Sequence, residues 1–87
     1  MRGGSVRFKN LSLVGKYLHS VERYHVIRGD GSNVPKIGVP LFDRNGKKLG
    51  VVADVFGPVA RPFVLVKGAK AQEYYARPRD LLGRKGV

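Results

Sequence analysis

Apolar positions in this chain come in short runs broken by glycine and proline, and the runs alternate at the period of strands rather than of helices. Residues 11–18 form the first such run, interrupted by Gly15; a glycine inside a strand pattern predicts a bulge or a close backbone approach. Tyr24-His25-Val26-Ile27 predicts a second strand, and Gly29-Asp30-Gly31-Ser32-Asn33 a turn. Residues 34–42 carry Pro35 and Pro40, which lack ladder donors, so this stretch reads as an irregular or edge segment. Asp43-Arg44-Asn45-Gly46 follows, and Asn-Gly between apolar runs predicts a hairpin pairing Leu41-Phe42 with the run that begins at Lys47, both turn residues tolerating positive φ.

Two β-rich runs, residues 49–56 and 62–66, flank a Gly57-Pro58 corner that crowds Phe56, Val59 and Phe63 around a kinked backbone. Residues 69–75 have the composition of a short helix, and Pro78-Arg79-Asp80-Leu81-Leu82-Gly83 reads as one helical turn with proline at its start and glycine beyond its end. Short strands punctuated by Gly and Pro predict an all-β fold, a compact antiparallel barrel whose closure removes exposed edges. The expected organisation is a flexible basic segment over residues 1–10, a barrel core over residues 11–68 and a basic, part-helical extension over residues 69–87.

The chain has 87 residues, most simply one domain. A domain of this size buries only about 60–65% of the surface of its unfolded chain, which favours a binding role over an elaborate active site. No cysteine is present, which excludes disulfides, thiolate metal sites and cysteine nucleophiles. No apolar run approaches the ~18–20 residues that span a bilayer, and the basic N-terminus is not followed by a signal-peptide core, so the reading is a soluble, cytoplasmic protein with no membrane partner. Net charge is +11, from 17 Lys and Arg against 6 Asp and Glu, and predicts a polyanionic environment. Much of the excess lies near the ends: Arg2, Arg7, Lys9 and Lys16 stand without an acid in residues 1–16, and Arg77, Arg79, Arg84 and Lys85 oppose Asp80 alone in residues 77–87.

Candidate chemistry is thin. His19 and His25 sit on strands that can pair, but zinc needs three or four ligands and only Glu22 stands nearby, so no metal is expected. Asp43, Asp54 and Asp80 read as turn residues or surface ion-pair partners. No nucleophile with a base, no carboxylate pair and no phosphate-cradling loop is present, so neither catalysis nor a cofactor is expected. Tyr17, Tyr24, Phe42, Phe56 and Phe63 can stack single-stranded bases, yet their apolar alternation favours the core, whereas Tyr74 and Tyr75, in a polar tail, are the better candidates for an exposed contact.

These motifs resemble the Gar subunit of box H/ACA ribonucleoproteins, in the short archaeal form without glycine-arginine tails. The resemblance rests on Val14-Gly15-Lys16-Tyr17-Leu18-His19, Val34-Pro35-Lys36-Ile37-Gly38, Gly46-Lys47-Lys48-Leu49-Gly50, Asp54-Val55-Phe56-Gly57-Pro58-Val59 and Pro62-Phe63-Val64-Leu65-Val66-Lys67, covering residues 11–67. It implies a six-stranded β-barrel of the translation-factor and reductase type. It also implies a non-catalytic role: binding the catalytic domain of a TruB-like pseudouridine synthase and influencing the enzyme loop that closes over substrate RNA, in a particle whose guide RNA is held mainly by other subunits, with little direct RNA contact by this one. Family members commonly finish with a short closing strand, a pattern from which Tyr74-Tyr75-Ala76-Arg77-Pro78-Arg79 departs.

On this reading Gly57, Pro58, Val59, Pro62 and Phe63 form a rigid apolar anchor, because fixed proline φ angles lower the ordering cost of association. Val39, Pro40 and Leu41 lie beside it and Arg61 stands at the rim, while Phe56 fills the barrel. The competing reading is a stand-alone basic RNA-binding barrel of the translation or ribosomal type.

Overall fold

The computed structural model describes residues 11–29 and 31–82; the expectations for residues 1–10 and 83–87 lie outside them. Its strands are β1 (Ser12–Val21), β2 (Tyr24–Gly29), β3 (Val34–Pro35), β4 (Pro40–Phe42), β5 (Lys48–Phe56), β6 (Phe63–Gly68), β7 (Glu73–Ala76) and β8 (Leu81–Leu82), with a 3-10 turn at Pro78–Asp80. Six of them close into an antiparallel barrel in the order β1-β2-β6-β5-β4-β7, and β3 pairs with β8 as a separate two-stranded ribbon. The all-β six-stranded barrel expected from the sequence is therefore the fold. Among the described residues no helix is long and apolar enough to cross a membrane.

Alternation along each strand decides what enters the barrel. Val14, Ile27, Leu41, Val52, Val64, Val66, Tyr74 and Ala76 form the buried cluster. Two sequence expectations fail on this phase. Phe56 does not fill the barrel: it is 45% exposed beside the half-buried Phe63, because Val64 and Val66 take the inward positions of β6. Tyr74, expected on the surface, is fully buried. The helix expected over residues 69–75 is replaced by β7, which pairs with β1 and, through Phe42 and Tyr75, with β4. The barrel thus closes before Pro78, so that proline interrupts nothing.

Glycine permits the tight spots. At Gly15 a Cβ would lie 2.3 Å from the Arg28 carbonyl oxygen, and the β1–β7 register shifts between Leu13 and Gly15, giving both the close approach and the bulge that the sequence implied. In the β4–β5 turn only Gly46 of the Asn-Gly pair has positive φ. Asp43 Oδ1 accepts hydrogen bonds from the backbone N–H groups of Asn45 and Lys47, which shapes a longer turn than the two-residue kind.

Tyr74 closes one end of the core. Its hydroxyl donates to the Ala69 carbonyl (2.7 Å) and accepts from Ala71 N–H (3.0 Å). Burial raises its pKa above the ordinary tyrosine value, more than the Ala71 hydrogen bond lowers it. Since the fold favours the neutral phenol, this contribution to stability is intact below the unfolded-state value of about 10 and is lost as pH rises through the higher folded value. Alkaline absorbance titration of the four tyrosines should show one ionising late. Replacing Tyr74 with Phe should abolish that phase and lower stability by about 1–2 kcal/mol, since two backbone partners lose their bond.

Candidate functional site

The β5–β6 hairpin ends in the loop over residues 57–62, and its geometry follows from local sequence. Gly57 has φ +92°, a region in which side chains are strained, and a Cβ there would lie 2.7 Å from the Phe63 ring, so glycine is needed on both counts. Pro58 fixes the next φ. Pro62 is buried, and its carbonyl accepts from Gly29 N–H at 2.9 Å, pinning the loop to β2. Gly31, also at positive φ, lets a second backbone pass so close that a Cβ would sit 2.4 Å from the Ala60 oxygen. The loop is therefore held at its exit and along its flank.

What it presents is apolar. Val59 is 91% exposed, the most exposed large apolar side chain among the described residues. It borders an open groove lined by Gly31, Val34, Phe56, Pro58, Ala60 and Leu82, with Leu82 half exposed. Paired strand residues share a face, so the β5–β6 pair Phe56 and Phe63 stands on the outside of the barrel. Their rings stack with centroids 5.4 Å apart and planes at 24°, and the Arg28 guanidinium lies 4.6 Å from the Phe63 centroid.

The residues singled out in the sequence divide into three groups. Gly57, Pro58, Val59 and Pro62 line the groove, with exposed Arg61 in the same loop and half-buried Phe63 just beneath it. Val39 and Pro40 lie elsewhere: Pro40 pairs with Val51, five positions along β5 from Phe56, or roughly 17 Å at strand rise. Leu41 is fully buried in the core, with no side-chain surface to offer a partner. Absent from the expectation were Val34 and Leu82, which reach the groove through the β3–β8 ribbon, and Gly31 in the turn before β3. The apolar Leu81-Leu82 doublet in a basic tail was their only signal.

Elsewhere the polar groups are engaged locally. His25 Nδ1 bonds Ser20 Oγ at 2.8 Å and its Nε2 bonds the Gly68 carbonyl at 3.1 Å. His19 pairs with Val26 on the neighbouring row, so the two imidazoles point to opposite faces of the hairpin. Asp54 accepts from Val55 N–H, and Asp80 pairs with Arg77 at 2.9 Å. Among the described residues no group of three or more His, Asp or Glu is placed to hold a metal ion.

Comparison with known proteins adds the following. A family model described as the Gar1/Naf1 RNA binding region matches residues 11–84, which contain every strand of the barrel and its ribbon. An uncharacterised protein of Methanothermobacter thermautotrophicus is 39% identical over 36 residues, a stretch that spans 41% of this chain and 39% of that protein.

Proposed function

Because this chain belongs to the Gar1/Naf1 RNA-binding-region family, whose members are accessory and generally non-catalytic components of ribonucleoproteins, we propose that it is a subunit of an H/ACA guide-RNA pseudouridylation particle. In that role it docks on the catalytic domain of a TruB-like pseudouridine synthase and biases the enzyme loop that closes over substrate RNA. Loading and release of RNA during rRNA modification then depend on a subunit that carries out no chemistry of its own.

The observation that supports this best is Val59. An apolar side chain left almost wholly in water, on a loop fixed by Gly57, Pro58 and Pro62 and beside an apolar groove, is an anchor that needs little ordering on association. Phe56, Leu82 and Val34 supply the surrounding apolar surface, and Arg61 stands at the polar rim expected of such an interface. Pro62, buried at the loop exit, holds the platform from beneath, while Leu41 serves the barrel core rather than the groove.

The test is association of the purified chain with a TruB-like synthase subunit in the absence of RNA. A stoichiometric complex is expected; failure of the two purified proteins to associate would refute the proposal.

A further inference from the structure

The β4–β5 turn, at the opposite end of β5 from the groove, carries the one Asn-Gly pair of the chain, Asn45-Gly46. Asn45 is exposed, and its side-chain amide makes no hydrogen bond with any described residue. The other described asparagine is held: Asn33 donates from Nδ2 to the Leu13 carbonyl at 2.9 Å and is followed by the branched Val34. Gly46, at φ +89°, has no side chain to shield its nitrogen. A five-membered ring can close between an asparagine side chain and the next backbone nitrogen, and glycine in the second position leaves that approach clear.

The charges around the pair favour the reaction. Arg44, Lys47 and Lys48 are exposed, and none forms an ion pair with a described residue. Cations on both sides of Gly46 stabilise its nitrogen once the proton is lost. The hydrogen bonds of the turn oppose it. Gly46 N–H donates to the Asp43 carbonyl at 3.0 Å, so the nucleophile is occupied while the turn is closed. Asp43 also fastens the closed form: its Oδ1 accepts from Asn45 N–H at 2.8 Å and Lys47 N–H at 2.9 Å, and its own N–H donates to the Lys47 carbonyl at 2.9 Å.

We propose that Asn45 is a site of spontaneous deamidation in this protein and that the Asp43 clasp sets its rate. In the opened turn Gly46 N gives up its proton and bonds to Asn45 Cγ; the Cγ–Nδ2 bond breaks, and Nδ2 takes up a proton and leaves as ammonia. Water then opens the succinimide. Cleavage of its bond to Cγ gives aspartate, and cleavage of its bond to the main-chain carbonyl carbon gives isoaspartate, whose backbone runs one carbon longer. Both products put a carboxylate into a basic turn, and the second also lengthens it. β4 has three residues, and its pairing with β5 sets Leu41 inward, so a lengthened turn loosens the core from this end. The site involves neither the groove nor the synthase, so it stands or falls apart from the docking role.

The experiment ages the full chain at mildly alkaline pH and follows its intact mass, with fragmentation to place the change. The modified chain exchanges one NH for one oxygen, and the exchange should lie at residue 45 and not at Asn33. Wild type in urea, where the clasp is gone, should react about tenfold or more faster than folded wild type. Asp43→Ala removes the side-chain acceptor and should raise the folded rate about three- to tenfold. Asp43→Ser keeps an oxygen acceptor and should fall between the two. Asn45→Gln needs a six-membered ring that closes far more slowly, and should leave position 45 unmodified. Melting curves establish that each variant is folded, and the isoaspartate fraction should melt below fresh protein. Modification appearing first at Asn33, equal rates in urea and in the folded chain, or a folded Asp43→Ala protein that reacts no faster than wild type would overturn the proposal.

Discussion

Replacing Val59 with Glu should reduce affinity for the synthase subunit by roughly 30- to 1000-fold, the range of an interface hot spot worth about 2–4 kcal/mol. The barrel should be unaffected. Val59 is 91% exposed and belongs to no packed cluster, and surface changes of that kind usually move stability by less than about 0.5 kcal/mol. A carboxylate at the same place must be desolvated when an apolar partner closes over it, with no cation of the groove to receive it; only Arg61, in the same loop, offers a rim charge. Titration of the variant against the synthase, with its melting curve beside that of wild type, checks both halves. Retained affinity in a folded variant would remove the anchor from the account.

Leu41 makes the opposite case. Its position beside Val39 and Pro40 invites reading all three as one apolar docking strip, but the structure seals Leu41 inside the barrel, fully buried among Val52, Tyr74 and Ala76. Leu41→Ala should therefore cost about 2–5 kcal/mol through lost transfer energy and the cavity left behind. A domain of this size has on the order of 4–13 kcal/mol in total. The midpoint of thermal unfolding should fall by about 10 °C or more. Partner binding then drops only as far as the folded fraction does, and should recover at low temperature, whereas the deficit of Val59→Glu should persist at every temperature. Melting curves paired with binding at two temperatures separate a core residue from a contact residue. A Leu41→Ala protein that melts like wild type but binds poorly would return Leu41 to the interface.

These two residues show what the sequence could and could not convey. Short strands, the Gly57-Pro58 corner, the Asn45-Gly46 turn and the bulge at Gly15 are all dictated by local stereochemistry, and each is legible from residue type alone. The phase of a strand is not. Leu41 and Phe42 are adjacent apolar residues that must point to opposite sides, and only pairing with β5 and β7 decides that Leu41 goes inward. The same ambiguity hid Tyr74: a tyrosine in a polar stretch looks exposed until β1 pairs with β7 and the chain around Ala69 and Ala71 supplies partners for its hydroxyl. The closing strand was masked by helix-favouring composition upstream, a local preference that barrel closure overrides. Half of the groove was invisible for a similar reason. Val34 and Leu82 are far apart in sequence and meet only because the 3-10 turn at Pro78–Asp80 returns the chain to pair with β3. The charge was legible in sum, but the placing of Arg28 opposite Lys16 and over the Phe63 ring emerged only from cross-strand register.

Calorimetric titration of this chain into a TruB-like pseudouridine synthase subunit, without RNA and at low and high salt, tests the central claim most directly. An apolar docking surface predicts binding that survives the rise in salt with little loss, because few counterions are released. Absence of heat at either salt, or affinity that collapses with salt as it does for a polyanion, would contradict that claim and leave a basic barrel whose partner is RNA alone.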